Sequence, residues 1–121
     1  MRVALAGITL DCLDALSVSR FWSQLLDAET RTDSDLPGWF RLGPITGGGP
    51  HINFQPVPEE KTEKTRLHLD LWVDDLAAAV SLVHQLGGRG PVESHSYESG
   101  SVAVMADPEG NEFCLVASTI T

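Results

Sequence analysis

Asp14-Ala15-Leu16-Ser17-Val18-Ser19-Arg20-Phe21-Trp22-Ser23-Gln24-Leu25 returns 61 positions later as Asp75-Leu76-Ala77-Ala78-Ala79-Val80-Ser81-Leu82-Val83-His84-Gln85-Leu86. Each copy follows a run that alternates apolar and polar residues. Each is followed by a Gly-rich stretch and further short apolar runs. The chain of 121 residues therefore reads as two similar modules, and a repeat of this length is settled before any local assignment. In a two-fold repeat a functional site falls where the copies meet. The positions at which the copies differ then carry the information.

Upstream of the first copy, residues 3–12 alternate. Val3, Leu5, Gly7, Thr9 and Asp11 fall on one face, and Ala6, Ile8, Leu10 and Cys12 on the other, which is strand periodicity. Asp14 can cap a helix over roughly 15–26. A polar loop is expected from Glu29 to Gly38, then a short strand at 39–42. The Gly- and Pro-rich stretch 43–50 reads as turn or loop, and His51 to Val57 as another strand. The second module opens with Leu67-His68-Leu69-Asp70-Leu71-Trp72-Val73, where His68, Asp70 and Trp72 share the face opposite the aliphatic residues. Asp74 or Asp75 caps a helix over roughly 76–86, which Gly87-Gly88 ends. Strands follow near 101–106 and 112–117. Asp107-Pro108-Glu109-Gly110-Asn111 joins them as a hairpin turn. Domain boundaries follow: a first module at 1–57, a charged linker at 58–66 and a second module at 67–121.

Hydrophobic residues make up 42% of the chain, which is ordinary for a globular protein. No apolar run approaches the ~18 residues of a membrane helix. Arg2, a short apolar stretch and Asp11 make a poor signal peptide, so a cytoplasmic location is expected. Cys12 and Cys114 are the only cysteines and are read as free thiols. The net charge of −9 argues against nucleic acid or an anionic membrane as partner. Gly47-Gly48-Gly49 is no phosphate loop, because the Lys-Ser/Thr ending and a following helix are missing.

Three segments together resemble the vicinal oxygen chelate superfamily of glyoxalase I, extradiol dioxygenases, fosfomycin-resistance enzymes and bleomycin-binding proteins. They are Asp14 through Phe21-Trp22, His68 through Asp75, and Asp107-Pro108-Glu109-Gly110-Asn111-Glu112-Phe113. The resemblance covers nearly the whole chain. It implies an α+β fold of two βαβββ modules, each a curled mixed sheet, around a central concavity. It also implies a homodimer and a small-molecule ligand or substrate. In metal-using members four side chains project from strands into that concavity. Carried over by position, they are Gly7, Gln55, His68 and Cys114 here, with Thr9 and Asp11 as neighbours of Gly7 on the same face.

Divalent ions in such sites take His and carboxylate ligands and leave positions open for substrate oxygens. One imidazole, one neutral amide and one thiol depart from that set. The expectation is a protein without a resident cofactor, in which a divalent metal, if bound, would use His68 with Gln55. Two readings stay open. One is a metal-free small-molecule binder, its ligand held among Thr9, Asp11, His51, Asn53, Gln55, Trp72, Glu112 and Cys114. The other is a glyoxalase-like lyase or isomerase in which His68, with Asp70 on the same strand face, serves as base or metal ligand. Trp72 is expected to line the cavity, and Trp22 to be core or dimer contact. Trp39 could be either. Arg41 could pair a ligand anion or simply be solvated.

Overall fold

The computed structural model describes residues 1–33, 35–43, 45 and 50–118. The order is β1 (Gly7–Cys12), α1 (Ala15–Leu26), β2 (Thr30–Asp33), β3 (Leu36–Leu42), β4 (His51–Pro56), β5 (Leu69–Trp72), α2 (Leu76–Gln85), β6 (Arg89–Tyr97), β7 (Gly100–Ala106) and β8 (Glu112–Ser118). The chain divides into two compact units, Met1–Glu60 and Lys61–Thr121. Each holds one four-stranded mixed sheet, ordered β1-β4-β3-β2 in the first and β5-β8-β7-β6 in the second. Each unit thus has the strand–helix–three-strand pattern expected of a βαβββ module, and its sheet is open. The first strand of each runs parallel to the last, β1 with β4 and β5 with β8. The helix is the crossover that a parallel pair needs.

The two helices begin 61 positions apart, at Ala15 and Leu76, and β4 and β8 begin 61 apart, at His51 and Glu112. Both helices are capped as the sequence implied. The Ser17 N–H donates to Asp14 Oδ1 at 3.1 Å, and the Ala78 N–H to Asp75 Oδ1 at 3.0 Å. The helices differ in what they bury. Ala15, Val18, Ser19, Phe21 and Trp22 of α1 are buried, whereas in α2 only Val83 is. Alternate residues of the first sheet complete its core, with Leu42, Ile52 and Phe54 at most 3% exposed. Met105, Phe113 and Leu115 do the same in the second unit.

Three strand readings need correction. The first strand starts at Gly7, not Val3, and Val3 and Leu5 are exposed. Gly7 pairs with His51, the first residue of β4, and the preceding Pro50 has no N–H to extend the ladder. The stretch Glu29 to Gly38 is not all loop. It holds β2 and the start of β3, whose register shifts between Thr32 and Asp33. Its polar side chains hid an edge strand that buries little. β6 likewise escaped notice, because nearly all of its residues are exposed and the alternation test needs one buried face. The Gly47-Gly48-Gly49 run lies outside the described residues. No helix among the described residues is long and apolar enough to cross a membrane.

Candidate functional site

The face of the first sheet turned away from α1 carries a polar row. Strand registers place Thr9 beside Asn53, Asn53 beside Arg41, and Arg41 beside Arg31, so one residue comes from each of β1, β4, β3 and β2. Gly7 beside His51 and Asp11 beside Gln55 flank it. The expected residues Thr9, Asp11, His51, Asn53 and Gln55 therefore share one surface. Period-2 alternation makes this so, because Ile52 and Phe54 on the same strand are buried against the core. Arg41 Nε donates to Asn53 Oδ1 at 2.9 Å.

A concavity of about 410 Å³ opens here, lined by Arg31, Leu36, Trp39, Arg41, His51 and Asn53 among others. Arg31 and Leu36 were missed from sequence because β2 and the start of β3 were read as loop. The signal was present in Thr30-Arg31-Thr32, a β-branched alternation inside a polar stretch. His51 crosses over Gly43, where a Cβ would lie 2.6 Å from His51 Nδ1. Gly43 also has φ +151°, so a side chain is excluded there twice over.

The expected residues of the second unit fall into three places. His68, Asp70 and Cys114 form one group. Cys114 is buried, pairs with Asp70 across the parallel ladder, and has its Sγ 3.8 Å from His68 Nδ1. Burial pushes the Cys114 thiol up, and the negative charge of the Asp70 carboxylate pushes it further. Cys114 is thus a protonated thiol at neutral pH, neither a nucleophile nor a ready ligand. Among the described residues Asp70 makes no hydrogen bond to His68 that would orient the imidazole, whose Nδ1 faces the Cys114 thiol instead.

Trp72 stands apart from these. It is 80% exposed and borders a groove of about 640 Å³ with Val73, Asp75, Ala78, Ala79 and Leu82. Glu112 is engaged structurally. Its Oε1 accepts from the Thr65 N–H at 3.2 Å and pairs with Lys61 Nζ at 3.4 Å, while the Glu112 N–H donates to Thr65 Oγ1 at 3.3 Å. This clasp ties residues 61–65 to β8.

Burial alone would raise the Glu112 carboxyl. The Thr65 N–H and the Lys61 ammonium outweigh it and hold the group below its ordinary value of 4.5. The folded chain then binds fewer protons here than the unfolded chain. The resulting stability is present above about pH 4.5 and is lost as pH falls through the lowered value. Urea titrations between about pH 6 and pH 3 should show a shallower loss of stability with acid for Glu112→Gln than for the parent. Identical slopes would detach Glu112 from the acid response.

The four family positions do not fit a hard divalent ion. Gly7 offers no side chain, Gln55 a neutral amide and Cys114 a protonated thiol, which leaves His68. Among the described residues, no three His, Cys, Asp or Glu side chains converge as a metal-binding group.

The profile of the glyoxalase-like domain family matches residues 7–116. No protein of curated function is significantly similar in sequence. Among solved structures, a mutant of the genomically encoded fosfomycin resistance protein FosX from Listeria monocytogenes, complexed with Mn(II) and 1S,2S-dihydroxypropylphosphonic acid, superposes with TM-score 0.77 at 20% identity. That match covers 99% of this chain and 95% of the other. A glyoxalase/bleomycin resistance protein/dioxygenase family enzyme from Burkholderia phytofirmans PsJN gives TM-score 0.72 at 21% identity, over 96% of this chain and 99% of that one. UcmS2 gives 0.70 at 25% identity, over 98% and 100%. At these identities the likeness establishes the fold.

Proposed function

Because the chain belongs to the glyoxalase-like domain family, within the vicinal oxygen chelate superfamily, we propose that it binds a small organic molecule on the polar face of its first unit, without the family's divalent metal. The observation that carries this reading is the concavity beside the Thr9–Asn53–Arg41–Arg31 row. It joins an aromatic wall, Trp39, to a few convergent polar groups, the usual make-up of a small-molecule site. Thr9, Asp11 and Gln55 extend the same surface. A homodimer belongs to this reading, as the family resemblance implies. A lyase or isomerase with His68 as base would need Asp70 on the imidazole, and the contact recorded at its Nδ1 is with Cys114 Sγ at 3.8 Å.

The test is a fragment screen read by amide chemical shifts. Binders should move the signals of Trp39, Arg41, His51 and Asn53, and Trp39→Ala should weaken them at least about tenfold, a loss of about 1.4 kcal/mol. Binders that move only residues around Trp72 and Leu82, or around His68 and Cys114, would overturn the placement. Protein offered Ni²⁺, Zn²⁺, Mn²⁺ and Fe²⁺ should take up none stoichiometrically. Stoichiometric metal lost in His68→Ala would transfer the reading to a metal-dependent enzyme.

A further inference from the structure

The first unit carries four cationic side chains, all arginines, against eight acidic ones within residues 1–60. Two of the four, Arg31 and Arg41, stand directly opposite each other on β2 and β3. Like charges in that position destabilise a sheet, because the paired Cβ atoms lie only about 5 Å apart. Neither arginine forms an ion pair with a described residue. Both line the same concavity, and although the chain has a net charge of −9, no Asp or Glu is among its described lining residues.

The remaining polar groups there also donate. Arg41 Nε is fixed on Asn53 Oδ1, which aims the rest of that guanidinium and leaves the Asn53 Nδ2 amide as a donor. His51 adds an imidazole at the same wall. Among the described residues, donors therefore converge without an acceptor of matching charge. A guanidinium fork is matched by the paired oxygens of a carboxylate or phosphoryl group.

We infer that Arg31 and Arg41 form a two-pronged clamp for an oxyanion on an organic ligand whose apolar body lies against Trp39 and Leu36. The bound oxyanion relieves the arginine–arginine repulsion, so binding is strengthened by the same juxtaposition that weakens the free sheet. This inference rests on the proposed small-molecule reading of the same concavity and adds the chemical class of the ligand.

Three probes of similar size separate the possibilities: benzoate, phenylphosphonate and neutral benzamide, titrated against the full chain and followed at Trp39 and the Arg31 and Arg41 side-chain N–H signals. At least one anion should bind ten times more tightly than benzamide, and added salt should reduce that advantage. Whichever anion binds better distinguishes a carboxylate from a phosphoryl ligand. Arg31→Gln and Arg41→Gln should each erase the advantage while melting no lower than the parent, because the like-charge contact is relieved. Arg31→Lys, which keeps the charge and loses the fork, should retain only part of it. Equal affinity for benzamide and both anions overturns the clamp and leaves the small-molecule reading standing. No fragment of any charge at Trp39 overturns both. A variant that loses anion binding only because it unfolds shows a lowered melting temperature, and that result would assign the arginines a structural role and overturn the clamp.

Discussion

Replacing Asp107 by alanine should lower stability by about 3 kcal/mol, although the residue sits in a turn. Its side chain is fully buried. The carboxylate accepts from the Glu109 N–H at 3.0 Å, the Asn111 N–H at 2.9 Å and Asn111 Nδ2 at 2.8 Å. The backbone closes around it, with the Asp107 N–H on the Asn111 carbonyl and the Gly110 N–H on the Asp107 carbonyl. Gly110 adopts φ +87°, which the turn requires and glycine tolerates. Alanine would leave three part-buried donors without their acceptor, and an orphaned buried donor costs about 1–3 kcal/mol. Asparagine keeps one acceptor oxygen but sets its own NH₂ against that of Asn111, so Asp107→Asn should fall between the parent and alanine. Chemical denaturation followed by circular dichroism measures all three. A loss below about 1 kcal/mol for alanine would show that the hairpin closes without its carboxylate.

The turn was legible from sequence because its chemistry is local. Asp, Pro, Gly and Asn at fixed offsets dictate backbone angles whatever surrounds them. The caps Asp14 and Asp75 were legible for the same reason. So was the alternation of β4, which put His51, Asn53 and Gln55 together because Ile52 and Phe54 are buried between them. What failed depends on partners far along the chain. Residues 3–6 have strand periodicity and, among the described residues, no strand to pair with. β2 and β6 have partners and little burial, so hydropathy could not show them. Arg31 was lost with β2, and with it the opposition of two arginines, a fact of register that no spacing in the sequence records. Glu112 shows the reverse error. Its face is right for a ligand, but Lys61 and Thr65, 51 and 47 residues earlier, reach it first.

The largest single cost in the chain should follow Trp22→Ala, about 3–5 kcal/mol. Trp22 is 1% exposed and meets Phe21 edge to face, with ring centroids 5.5 Å apart. The repeat supplies the control. The residue 61 positions on is Val83, the only buried residue of α2. Val83→Ala removes far less volume and should cost about 2 kcal/mol. The helices share a place in the repeat but not a load, since α1 holds its sheet with two aromatic rings and α2 with one valine. This bears on binding because α1 packs on β3 and β4, the strands that present Arg41, His51 and Asn53 on their other face. Trp22→Ala should therefore leave ligand affinity near normal in the cold and lose it on warming, in step with the unfolded fraction. Arg41→Gln should do the opposite, with melting unchanged and affinity lost at every temperature. Melting curves and titrations at two temperatures separate the two. If Trp22→Ala lost affinity while fully folded, α1 would be setting the geometry of the site rather than only supporting the sheet behind it.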